Sequence, residues 1–338
     1  MIAPPVLEIR DLTVSFPTES GLVQAVRGVD VSVGEGELLG VVGESGSGKS
    51  VTFLAAMGLL PGTAQIGGSV RVRGEELLST DRKKLRKARG KQIAMIFQDP
   101  LSALNPVHKI GDQVVEMIKA HQDVSDKEAM AKAVDLLGLV GIPQPKTRAR
   151  QYPHEFSGGM RQRVMIAMAI ANEPEVLIAD EPTTALDVTV QAQILEVIQR
   201  IQNELKAAVV FITHDLGVVA RIADRVQVMY AGRAVELGGV YEVFEGSRHP
   251  YTRGLMASLP GGSRERLNPI PGAPPNMIFP PSGCAFRARC QYAAAECAID
   301  PPPPLRGYGR VETACVRIQE IVELMPEMLA DEPSGVLA

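Results

Sequence analysis

A chain of 338 residues can hold one full domain and a smaller second unit, since single domains run to about 100–200 residues. Its 45% hydrophobic and 22% charged residues exclude a globally disordered chain, although aromatic residues are sparse at 4% and tryptophan is absent. With 35 basic against 39 acidic side chains the formal charge is −4, which excludes a global attraction to nucleic acid or acidic lipid.

The opening stretch, "MIAPPVLEIRDLTVSF", lacks a charged start followed by an apolar core. No apolar run approaches the roughly 18–20 residues that cross a bilayer, so the chain reads as cytosolic and soluble. From Val6 to Val33, short apolar alternations predict antiparallel strands separated by turn residues. The pattern changes in "ELLGVVGESGSGKSVTFLAAMGLL": a short buried strand, a Gly/Ser loop, then helical spacing over "SVTFLAAMGLL" up to Pro61. Residues 82–91, "RKKLRKARGK", carry seven Lys/Arg in ten positions. No aromatic residues are interleaved as stacking platforms and the net charge is negative, which favours a solvated helix face near a membrane over a nucleic-acid patch.

Residues 110–150 read as helices with charged faces, an insertion into an otherwise alternating α/β pattern. "EVLIADEP" and "AVVFITHD" are continuous apolar strands with polar residues at their C-terminal ends, as in a parallel sheet buried on both faces. After about residue 258, "SLPGGSRERLNPIPGAPPNMIFPPSG" predicts extended, irregular chain, and "IQEIVELMPEMLA" a short amphipathic helix.

"GESGSGKS" matches G-x-x-x-x-G-K-[ST] between a predicted strand and a predicted helix, which is the context that motif requires. Glycines let successive N–H groups and the helix N-terminus face a phosphate without Cβ clashes. Gly43, Glu44, Ser45, Gly46, Ser47, Gly48, Lys49 and Ser50, with Val51 after them, are the candidate ATP contacts. Lys49 would reach the β and γ phosphates and the Ser50 hydroxyl would ligate Mg²⁺. Asp180, ending a buried strand, can hold the Mg²⁺ shell, and Glu181 beside it can orient or deprotonate the attacking water.

"EFSGGMRQR" then opens a helix shortly before that strand, and it resembles the signature motif of ABC transporter ATPases. The family consensus is Leu-Ser-Gly-Gly-Gln; here Phe156 and Met160 flank Ser157, Gly158 and Gly159. The resemblance extends over most of residues 1–255. It implies that Phe16 stacks on adenine and that Gln98 joins Ser50 and Asp180 in sensing Mg²⁺. It also implies that Asp187 crosses to a second subunit and that His214 contacts the γ-phosphate as a switch. The implied fold is an α/β P-loop NTPase: a RecA-like core with an antiparallel β subdomain and a helical subdomain at about 105–165. The ATPase domain would span 1–257 and an irregular Cys-containing extension 258–338.

In that family the phosphate loop of one subunit and the Ser-Gly-Gly of another sandwich ATP, so one chain cannot build a complete site. "HPYTRGLMASLPG" and "FPPSGCAFRARCQYA" closely resemble the oligopeptide/dipeptide branch of binding-protein-dependent importers, which also contains nickel systems. That resemblance implies peptide uptake at the cytoplasmic face of a membrane. Its partners would be two permease subunits, an extracytoplasmic binding protein and a second, related ATPase subunit, with no nucleic acid. A soluble ABC ATPase acting on DNA or ribosomes is the competing reading; such proteins usually carry two ATPase halves or a long coiled coil, and neither is present.

All four cysteines fall in the last fifth of the chain: Cys284, Cys290, Cys297 and Cys315, spaced C-x5-C-x6-C-x17-C. By the branch resemblance they look like ligands of an iron–sulfur cluster, and four thiolates on a Pro-braced loop suit [4Fe–4S]. Zinc also takes four cysteines but usually from C-x2–4-C knuckles, and free thiols or a disulfide complete the alternatives.

Overall fold

The computed structural model describes residues 4–78, 81–184, 186–258 and 270–324. Among them run twelve strands: β1 Leu7–Thr18, β2 Gly21–Val33, β3 Leu38–Val42, β4 Gln65–Val72, β5 Glu75–Glu76 and β6 Ile93–Ile96. They continue as β7 Val176–Asp180, β8 Ala208–Ile212, β9 Arg225–Tyr230, β10 Arg233–Gly239, β11 Arg306–Tyr308 and β12 Val311–Thr313. The chain divides into two compact units, one of Met1–Glu8, Ser32–Leu38 and Val70–Ile212, the other of Ile9–Val31, Leu39–Ser69 and Thr213–Ala338. No helix among the described residues is long and apolar enough to cross a membrane.

In the first unit β6, β7 and β8 lie side by side and parallel, with Ile178 opposite Met95 on one flank and Val210 on the other. Every residue of the three strands is buried, as their continuous apolar runs require. The expected helical region is present as Ile110–Lys119, Asp126–Leu139 and Gly158–Ala169. The middle helix starts where it does because Ser125 and Glu128 form a capping box that satisfies two backbone donors reciprocally. The basic stretch forms the helix Arg82–Ala88, started by Asp81 accepting the Lys83 N–H; Ala88 is its one buried residue, and Lys84 pairs with Glu75 at 2.7 Å.

In the second unit β11, β12, β10, β9 and β3 follow in that order. The residues of β3 from Leu39 pair in parallel with β9, while β9–β10, β10–β12 and β12–β11 are antiparallel. The helix after β3 is shorter than its spacing predicts, running from Lys49 to Ala56. Gly58 ends it: with φ at +61°, its N–H bonds to Ala55 O and that of Leu59 to Leu54 O, the paired hydrogen bonds of a Schellman cap. Residues 270–305 hold no strand or α-helix, only the 3₁₀ turns Arg287–Arg289 and Ala295–Ala298, in keeping with the irregular extension. The hairpin β11–β12 was not expected; it turns at Gly309 (φ +62°) and adds its second strand to β10. The terminal helix is Ile318–Leu324, and the rest of the helix expected there lies outside the described residues.

A buried acid and a buried base sit together where β10 meets the helix Pro250–Ala257. The Glu236 carboxylate accepts the N–H groups of Arg248 and His249, and the ring of His249 caps the helix by accepting the Tyr251 N–H at 3.1 Å. Burial raises the Glu236 carboxyl to about 7 and lowers the His249 imidazole to about 3. Glu236 therefore favours the fold while protonated, a contribution lost as pH rises from its ordinary 4.5 through about 7. His249 favours the fold while neutral, a contribution lost as pH falls from 6.5 through about 3. Between about pH 6 and 8 the two slopes oppose, and the Glu236 loss exceeds the His249 gain. Chemical unfolding should show Glu236→Gln gaining about 1 kcal/mol from pH 6 to 8 while the wild type loses about half of that; slopes of the same sign in both would contradict this.

Candidate active site

The phosphate-binding motif lies wholly in the second unit, between β3 and the helix Lys49–Ala56. Two of its glycines answer to contact, while at Gly46 a Cβ would meet nothing within 4 Å and the left-handed backbone (φ +77°) is what favours glycine. At Gly43 (φ +146°) a Cβ would stand 2.1 Å from the Met229 carbonyl oxygen, and at Gly48 (φ +97°) 2.6 Å from that of Ala25. Any side chain there would displace backbone of β9 or β2. The Lys49 ammonium, nearly buried, curls into the loop and donates to the carbonyls of Gly43 (2.7 Å) and Glu44 (3.0 Å). The Ser47 carbonyl accepts the Gly232 N–H (3.0 Å), and the Glu44 N–H donates to the Tyr251 hydroxyl (2.9 Å). Ser50 and Val51 occupy the first turn of the helix, Phe16 is half-buried on β1, and Ser45 and Gly46 are at the surface.

The carboxylates lie in the first unit. Asp180 ends β7 and is 7% exposed, and Glu181 follows with φ at +45°, its N–H bonded to the Ile212 carbonyl at the end of β8. Its carboxylate oxygen accepts from Gln98 Nε2 (3.0 Å) and Thr184 Oγ1 (2.9 Å). Two side chains, one distant in sequence and one three residues on, thus fix this carboxylate at the C-terminal edge of a parallel sheet.

Ser157 caps the helix Gly158–Ala169 through an Oγ that accepts the Met160 N–H (3.4 Å), and Ser157 and Gly158 are exposed. A Cβ on Gly159 would meet Val190 at 2.5 Å, in the first turn of the helix Val188–Leu205. Asp187 caps that helix, accepting the Val190 N–H at 2.9 Å, so the Ser-Gly-Gly motif and the Asp187 loop share a packed edge. His214 is exposed in the second unit, one residue before Asp215, which caps the helix Leu216–Ile222.

The four cysteines are free and line one cavity of about 20 Å³ together with Phe286, Arg287 and Arg317. Burial raises the thiols of Cys284 and Cys290 and pushes Cys315 up to about 12, although each of these sulfurs receives at least one backbone N–H that favours a thiolate. No group of three or more His, Cys, Asp or Glu among the described residues is arranged to hold a metal ion. The four cysteines share one cavity wall, but the structure gives no support to the expected cluster.

Two contributors to the phosphate loop escaped the sequence reading. Tyr251 stood inside "HPYTR", read only as a branch marker. Arg289, between two cysteines, forms a bidentate ion pair with Glu44, with Nη1 and Nη2 at 2.8 and 3.0 Å from the carboxylate oxygens.

Comparison with known proteins agrees with this geometry. The family described as "ABC transporter" matches residues 26–184, and that described as "Oligopeptide/dipeptide transporter, C-terminal region" matches residues 235–297. The oligopeptide transport ATP-binding protein OppD of Bacillus subtilis (strain 168) is 53% identical over 292 residues, covering 85% of this chain and 82% of that one. OppD of Haemophilus influenzae is 48% identical over 309 residues, covering 91% and 96%. Among solved structures, the dimeric post-hydrolysis state of the ATP-binding cassette MJ0796 bound to ADP and Pi superposes with a TM-score of 0.62 at 26% identity, covering 69% of this chain and 98% of that one. The chain belongs to the ATP-hydrolysing subunits of ABC transporters, in the oligopeptide/dipeptide branch, and has their P-loop NTPase fold.

Proposed function

We propose that this chain energises the import of di- or oligopeptides by hydrolysing ATP beneath two membrane-embedded permeases. A related ATPase subunit would complete its ATP sites, and an extracytoplasmic protein would deliver the peptide. Residues 1–257 would form the ATPase domain and 258–338 the branch-specific extension. The observation that carries the hydrolytic reading is the Glu181 carboxylate clamped by Gln98 and Thr184 at the end of a buried strand. The peptide reading is supported by the match over residues 235–297 and by relatives named for oligopeptide transport.

The roles follow from charge and geometry. Lys49 and the loop N–H groups other than those of Glu44 and Ser47, which bond to the Tyr251 hydroxyl and the Glu44 carbonyl, would offset the charge of the transferring phosphoryl group. Ser50, Asp180 and Gln98 supply hard oxygen donors of the kind Mg²⁺ takes. Gln98 spends its amide nitrogen on Glu181, which leaves its carbonyl oxygen for the metal. When bound, Mg²⁺ would neutralise the β and γ oxygens. Glu181 would then orient the attacking water, and His214 would contact the γ-phosphate. Phe16 would stack on the adenine. From the partner subunit, the equivalent of Ser157 would donate its hydroxyl proton, because in the cap its oxygen serves only as acceptor. The Gly158 and Gly159 amides would do the same. Met160 stands where the family has glutamine, and Asp187 would cross at the same dimer edge.

We further propose the cysteine cavity as a ligand site, for [4Fe–4S] or else zinc. The donor chemistry fits: four thiols, three of them (Cys284, Cys290 and Cys315) receiving backbone N–H groups, beside Arg287, whose Nη1 is buried without a hydrogen-bond partner and would be satisfied by anionic sulfur. A bound cluster would supply electron-transfer capacity and cross-link an otherwise irregular segment.

In the complex assembled with its permeases, Glu181→Gln should lower phosphate release at least ~100-fold while ATP binding persists; unchanged turnover would overturn the role of Glu181. Cys290→Ser should remove bound iron and sulfide, or zinc, from anaerobically purified protein, as read by metal and sulfide analysis. Finding neither metal in the wild type would overturn the ligand site.

A further inference from the structure

Glu44, the second residue of the phosphate-binding motif, is gripped twice from the C-terminal part of the chain. Its N–H donates to the Tyr251 hydroxyl, and its carboxylate receives both guanidinium arms of Arg289. Arg289 is 6% exposed and uses all five of its N–H donors. Two go to Glu44, one to the Tyr230 hydroxyl (3.3 Å), one to the Pro271 carbonyl (2.8 Å) and one to the Ile270 carbonyl (3.3 Å). Its guanidinium also lies 5.8 Å from the ring centre of Tyr230 and 5.9 Å from that of Phe286. A guanidinium so fully used does not drift; it holds whatever it binds at a set place.

The backbone that carries Arg289 is set by the cysteine segment. The Arg287 N–H bonds to the Cys284 carbonyl, that of Arg289 to Phe286, and that of Cys290 to Arg287, while the Cys284 N–H is tied to Cys297. Phe286 faces the thiols as a wall of their cavity and packs 5.4 Å from the rings of both Tyr230 and Tyr251. One short turn therefore has the four thiols on one side and the clamp on Glu44 on the other.

We propose that Arg289 is a positioning residue for the phosphate-binding loop, through which the state of the four-cysteine segment sets the chain's affinity for ATP. This rests on the reading of residues 43–50 as the ATP-binding loop. A mere anchor for the C-terminal segment would change thermal stability without changing nucleotide affinity in a Glu44-dependent way.

The test measures binding of a ribose-labelled fluorescent ATP analogue with Mg²⁺ to the full chain, with thermal unfolding alongside. Arg289→Ala and Glu44→Gln should each weaken binding about tenfold, and the double variant no more than either alone, as contacting residues behave. Arg289→Lys, which keeps the charge but not the fork, should fall between, and it carries the test with Glu44→Gln if Arg289→Ala does not fold. Cys290→Ser should weaken binding in the wild type and not in the Glu44→Gln background. Unchanged affinity in folded Arg289→Lys and Glu44→Gln, or a Cys290→Ser effect of equal size in both backgrounds, would overturn the proposal. Lys49→Ala separates the two readings: binding that survives it would overturn the loop assignment itself.

Discussion

A loop that wraps a polyphosphate must turn its N–H groups inward on a backbone with no room for side chains, and most of the second unit is arranged around that requirement. Gly43 presses on the carbonyl of Met229 in β9 and Gly48 on that of Ala25 in β2. Gly232, in the turn between β9 and β10, bonds to Ser47. The strand that feeds the loop, β3, is buried along its whole length. Each support comes from a different stretch of chain, so the loop's shape is a tertiary property although its motif is eight consecutive residues.

The first unit meets a parallel requirement with a charge instead of an N–H cradle. Glu181 holds a left-handed backbone conformation, a strain of roughly 1–3 kcal/mol for a residue that is not glycine. It persists because its N–H is tied to Ile212 and its carboxylate to Gln98 and Thr184. The strain turns the chain sharply off the buried strand and leaves Asp180 and Glu181 in different environments, Asp180 buried and Glu181 reached by side-chain donors. Two adjacent carboxylates can then take different tasks, one toward a metal and one toward water.

What was readable from the sequence was what local spacing encodes. Buried strands such as "EVLIAD" announce themselves by unbroken apolar runs, and "GESGSGKS" by its glycine spacing, with Gly43 and Gly48 held by steric contact and Gly46 by its positive φ. The helix after the loop was read too long because "AAMGLL" keeps helical spacing through Gly58, where the backbone turns left-handed and caps the helix. The hairpin β11–β12 hid in a segment dominated by proline, with only three residues per strand to carry an alternation. Tyr251 and Arg289 lie 207 and 245 residues from Glu44, and no local pattern names a partner across such a distance. The cysteines were visible as a set, and the structure adds that they line a single cavity.

The central claim is that this phosphate loop and this clamped carboxylate drive the uptake of peptide. It is tested most directly by ATP hydrolysis of the chain assembled in vesicles with its permeases and binding protein, with and without a di- or oligopeptide. The account predicts hydrolysis that rises severalfold with peptide and disappears with Lys49→Ala. Hydrolysis indifferent to peptide, or raised by nickel alone, would contradict it.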